Sequence, residues 1–211
     1  MNKKRQHGNN SANKNIIGGY EMENKEFTHN SLNKYTSEGI CESLKKCNQN
    51  SKKPIFICIG SDLVLGDSLG PLVGTLLKRK KISSYVYGTL NYPITAKEIE
   101  YAKKYLKAMH PNSITVAIDA AVGSSDDIGL IRVVNKGLKP GLGVEKNLGV
   151  IGDISIIGVV SGKSLKNYNL FNLTRLNLVY KMAEQIADGI EKYINDLYGL
   201  DIISDNKIYG A

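Results

Sequence analysis

The chain has 211 residues, a formal charge of +8, 42% hydrophobic residues and three cysteines. That is room for one domain of ordinary size with a full core. Cys41, Cys47 and Cys58 are odd in number and form no CxxC pair, a pattern that fits a reducing compartment better than a disulfide scaffold. The longest apolar run, Ile154 to Val160, is far short of the ~20 residues of a membrane span.

Residues 1–53 hold ten Lys/Arg against five Asp/Glu, whereas the rest of the chain holds eighteen against fifteen. The basicity therefore sits mostly in a leader, residues 1–50, which reads as solvated and is expected to be disordered over 1–30. Leu32, Tyr35, Ile40, Leu44 and Cys47 recur at helical spacing, so one short helix within 31–48 is expected on the edge of the domain. No predicted element carries a stripe of basic and aromatic residues, so no nucleic-acid partner is expected. The basic N-terminus lacks an apolar segment, so neither a signal peptide nor a membrane partner is expected, and the expected location is cytoplasmic.

An α/β domain is expected over 51–200, with a tail over 201–211. Ile55 to Ile59 is an apolar, β-branched run that ends at Gly60, the pattern of a buried strand. A polar turn with Asp62 and Asp67 follows, and Gly70-Pro71 opens a helix over about 69–80. Ser84 to Gly88 reads as a second strand and Asn91-Tyr92-Pro93 as a turn. Thr95 is a plausible N-cap for a helix over 96–109, with Ile99, Ala102, Leu106 and Met109 inward. Residues 113–119 form the next strand, ending at Asp119. Ile128 to Val134 is a strand that returns by a short connection and so reads as antiparallel. A Gly-rich loop over 137–147 precedes a buried strand at 154–160, and a final helix covers 171–197. The alternation implies a single three-layer α/β/α domain with a mainly parallel, mixed central sheet.

Four site chemistries can be weighed. Gly60 to Ser68 is one residue too long for a phosphate-binding loop, and Asp67 stands where that loop has lysine. Gly66-Asp67-Ser68-Leu69 spells a serine-esterase signature, but no histidine follows His110 to serve Ser68 as base. A metal site using His110 fails on geometry, because an extended strand of about seven residues puts it ~20 Å from Asp119. No metal and no cofactor are therefore expected. There remains a carboxylate pair. Asp67 and Asp119 each follow a buried strand, at the sheet edge where open α/β folds bind ligands. Two close carboxylates cannot both ionise easily, which supplies an acid and a base. The plain alternative is that Asp67 caps a helix and Asp119 a turn. Spacing alone leaves both open.

Six segments, in order, carry a family resemblance: 58–74, 86–90, 118–121, 139–144, 152–159 and 174–176. They resemble the YyaC-type sporulation proteins and, more distantly, the spore germination protease, within the superfamily of the hydrogenase-maturation proteases. The resemblance implies that superfamily's fold and a metal-independent peptidase of aspartate type in a sporulating cell. It puts the catalytic carboxylates on Asp67 and Asp119. Ser61, where the germination protease has asparagine, Asp62, Gly66, Gly141 and Gly143 are the expected substrate-binding positions. The partner is then a peptide or protein substrate. The rival expectation is an inert peptide-binding protein that retains the same fold.

Overall fold

Side-chain alternation along Pro54–Cys58 sends Ile55 and Ile57 to one apolar layer and Phe56 and Cys58 to the other, and all five residues are buried. A strand buried on both faces belongs at the centre of a sheet covered by helices on both sides. The computed structural model describes residues 25–140, 149–162 and 174–200, together with the backbone of two short strands, β1 (Ile16–Ile17) and β2 (Tyr20–Glu21). The remaining strands are β3 (Glu26–Asn30), β4 (Pro54–Cys58), β5 (Tyr85–Tyr87), β6 (Ile114–Gly123), β7 (Leu130–Val134) and β8 (Ile154–Gly162). The helices are α1 (Thr36–Cys47), α2 (Leu69–Lys80), α3 (Ile99–Met109) and α4 (Leu176–Tyr198).

Six strands form one sheet in the order β3-β7-β8-β6-β4-β5. The contacts β8-β6, β6-β4 and β4-β5 are parallel, while β7 and β3 are antiparallel additions at one side. Helices α1, α2 and α4 cover one face, where Ile40, Leu77 and Ile186 pack on Phe56, Val116 and Ile156. Helix α3 covers the other, with Ile99 and Leu106 on Ile55 and Ile57. The expected three-layer, mainly parallel α/β fold is the observed one. No helix among the described residues is long and apolar enough to cross a membrane.

Three departures from the sequence expectations have clear causes. Residues 26–30, expected to be disordered, are the edge strand β3, paired with β7 in register from Glu26↔Val134 to Asn30↔Leu130. Helix α1 is a core element rather than an edge attachment: Ile40 and Leu44 are fully buried, and Gly189 admits Ile40 where a Cβ would stand 2.8 Å away. Strand β6 does not stop at Asp119. It runs on to Gly123 because β8 continues to pair with it, from Asp119↔Ile157 to Gly123↔Gly162, after β4 has ended at Cys58.

Candidate active site

From β4 the chain turns outward to α2 and the edge strand β5, whereas from β6 it leads the other way, to β7 and β8. The carboxyl ends of β4 and β6 therefore meet at the switch point of the sheet, where open α/β folds form a crevice. Both candidate aspartates come from here. Asp119 is the residue of β6 just past its last partner in β4, Ile118↔Cys58. Asp67 lies in the 3₁₀ turn Leu65–Ser68 that leads into α2, and this turn touches β6 and α4.

Local chemistry closes the loop that carries Asp67. The Ile59 amide donates to the Ile118 carbonyl (2.8 Å), the Gly60 amide to Ile94 (3.0 Å) and the Ser61 amide to the Asp67 carbonyl (3.1 Å). Gly60 has φ +141°, and a Cβ there would lie 2.0 Å from the Asp67 carbonyl oxygen, so glycine is required on both counts. Gly70 and Gly74 let α2 lie against backbone: a Cβ on Gly70 would meet the Ile59 oxygen at 2.0 Å, and one on Gly74 the Gly88 oxygen at 1.8 Å. The close approach that Gly70 permits is thus within the chain. Thr75 braces the other side, donating to the Pro71 carbonyl (2.8 Å) and accepting from the Leu90 amide (3.0 Å). Neither Thr75 nor Ile94 carries a sequence signal for this supporting role, since one sits in an ordinary helix and the other makes an isolated parallel bridge to Ile59 just after a turn.

The electrostatics of the pair are asymmetric. Asp119 keeps some exposed surface, but its carboxyl lies deep among protein atoms. Burial, reinforced by the charge of Asp67, pushes its pKa up to about 8, against a single opposing hydrogen bond from the Ala120 amide (2.8 Å). The depth of the carboxyl, rather than the exposed remainder of the residue, governs its charge. Burial raises the Asp67 pKa as well, and a hydrogen bond from the Ser61 amide works against it. Two carboxylates close enough to feel one another, with one proton held near neutrality, can give and take a proton in one cycle.

The other predicted positions divide. Ser61 is half-buried and its hydroxyl accepts from the Leu63 amide (3.2 Å). Asp62 is exposed, and Gly66 is buried within the 3₁₀ turn. Gly141 and Gly143 lie outside the described residues. Ser68 is buried with its hydroxyl donated to the Leu65 carbonyl (2.6 Å), an arrangement unlike a poised nucleophile. His110 closes α3, with its Nε2 2.6 Å from the Tyr87 hydroxyl. Among the described residues, the grouping of metal-ligand type is Cys41, Glu42 and Asp196, away from the aspartate pair. Lys45 already occupies it, 2.8 Å from Glu42 and 2.5 Å from Asp196.

Residues 25–189 match the family described as "Protein of unknown function (DUF1256)". The chain belongs to the DUF1256 family. It is also 39% identical, over 153 residues, to "Uncharacterized protein YyaC" of Bacillus subtilis (strain 168), a match that covers 72% of this chain and 73% of that protein. The DUF1256 match begins one residue before β3 and spans both aspartates, so the antiparallel edge strand and α1 lie inside the family's region.

Proposed function

We propose that the chain is a sporulation-associated, cytoplasmic peptidase that hydrolyses peptide bonds with Asp67 and Asp119 and needs no metal. The observation that carries this reading is the Asp119 carboxyl, kept protonated near neutral pH by burial and by the charge of Asp67. The motif resemblance to the spore germination protease points the same way. Asp119, with the strongly raised pKa, is the acid, and Asp67 is the base. Water attacks the scissile carbonyl carbon and its proton passes to the Asp67 carboxylate. Asp119 then gives its proton to the amide nitrogen as the C–N bond breaks, releasing an amine and a carboxylic acid. Proton exchange with solvent resets the pair. Activity should fall as pH rises through about 8, where Asp119 loses its proton.

The test is cleavage of a peptide-library pool by the full chain, beside Asp67→Asn and Asp119→Asn, with and without chelator. Chelator-resistant cleavage that both variants lose supports the proposal. A folded wild type that retains peptides uncut supports the second reading, a non-catalytic peptide-binding protein. That reading is favoured by the amide hydrogen bond each aspartate already accepts from its own neighbourhood.

A further inference from the structure

Five aromatic rings form an unbroken row on the β5 side of the molecule. Tyr101 stacks on Tyr105 (centroids 6.2 Å apart), Tyr105 meets Tyr87 edge-on (5.8 Å), Tyr87 lies beside His110 (5.7 Å), and His110 beside Tyr85 (4.6 Å). The Lys53 ammonium sits 5.6 Å from the centre of the Tyr85 ring. No single predicted element carries this row. It is assembled from α3 and its cap, from β5 and from the residue before β4. Rings are expected to be mostly covered in a chain that packs alone, yet Tyr101 is 73% exposed, Tyr85 51% and Tyr105 38%.

Cations predominate around the row. Lys53, Lys104 and Lys107 make no ion pair among the described residues. Of the two nearby carboxylates, Glu100 is paired with Lys103 (3.2 Å), while Glu98, just ahead of α3, stays charged and accepts the Thr95 hydroxyl (2.5 Å). A recess of about 210 Å³ opens behind the end of α3, with Lys107, His110 and Ser113 in its lining. Exposed π faces bordered by cations outside any ion pair are what bases and phosphates together require. An added peptide strand fits less well, because β5 is three residues long and its middle residue, Val86, is buried.

We propose that this β5–α3 flank binds single-stranded nucleic acid, with Tyr101, Tyr105 and Tyr85 as stacking surfaces and Lys53, Lys104 and Lys107 as phosphate contacts. The site is separate from the aspartate pair and does not depend on its chemistry. The test is fluorescence anisotropy of a labelled 15-nucleotide oligo(dT) with the full chain across a salt series. Tyr101→Ala, at a highly exposed position that leaves the fold intact, should weaken binding about tenfold. Lys104→Gln with Lys107→Gln should reduce the slope of log affinity against log salt by about two. Asp119→Asn should bind as the wild type does. The basic leader is present in every variant, so these differences report the flank alone. Absence of oligo(dT) binding would overturn the proposal. So would equal binding by Tyr101→Ala, or binding of duplex DNA or polyglutamate as tight as that of oligo(dT).

Discussion

Replacing Asp119 by asparagine should make the protein more stable, and by an amount that depends on pH. The Asp119 pKa rises from 3.8 to about 8 on folding, so between these values the native state holds a proton that the unfolded chain has released. Native stability therefore falls as pH rises through this window. Below about pH 4 both states are protonated and Asp119 costs nothing. Each pH unit above that costs about 1.4 kcal/mol, to a total of about 6 kcal/mol once the native carboxyl ionises. Asparagine has nearly the same shape and never ionises. Asp119→Asn should match the wild type near pH 4 and exceed it by about 4 kcal/mol at pH 7, a shift of about 2 M in the urea midpoint. The chain has no tryptophan and 12 tyrosines, so far-UV circular dichroism is the direct readout of unfolding at pH 5, 6, 7 and 8. Wild-type and variant stabilities that run parallel across this range would refute the assignment of a buried, neutral acid at Asp119.

Asp67→Asn removes the charge that helps hold the Asp119 proton, so the pH dependence of stability should persist but end at a lower pH, as read by the same titration. Gly70→Ala drives a methyl into the Ile59 carbonyl at 2.0 Å and should cost about 1–3 kcal/mol, seen as a lower melting temperature. Ile40→Ala empties a fully buried site between α1 and α4 and should cost about 2–5 kcal/mol, whereas a residue in a solvated leader would cost almost nothing. Cys58 is fully buried and its thiol is pushed far up by desolvation, so it should resist alkylation in the native state and react only on unfolding.

The strands and helices around the aspartates were legible because they obey simple periods. Ile55 to Ile59 is continuously apolar, and α2 begins at Leu69 and ends at Lys80, as its glycine, proline and lysine cluster imply. Strand β3 was hidden because it pairs on one side only and has a single strongly apolar residue, Phe27, among Glu26, Thr28, His29 and Asn30. Helix α1 was undervalued for a related reason. Half of its inward surface is small or polar, with Ser37 and Ser43 buried, Ser43 bonded to His29 (2.9 Å) and Gly39 lying under the His29 ring. It packs on α4 and also against β3, so the absence of a signal for β3 hides part of its setting. Thr95 donates both its amide and its hydroxyl to the Glu98 carboxylate, but the residues between them make a turn and the regular helix starts at Ile99 without a side-chain cap. Asp119 was identified by type while its setting was not, because only pairing with β8 reveals that the strand runs past it. The depth that shifts its pKa is a property of the assembled layers and has no one-dimensional signature.

Strand β4 also sets an order of opening. It is buried at all five positions and paired on both sides, whereas β3 and β5 each have one neighbour. In amide exchange, edges of this kind release their protons through small local fluctuations, and a doubly paired central strand does so only with the whole domain. Both aspartates hang from β4 or from its direct partner β6. Fraying at either margin of the sheet would therefore leave their spacing unchanged, and the pair should be lost only when the domain itself unfolds.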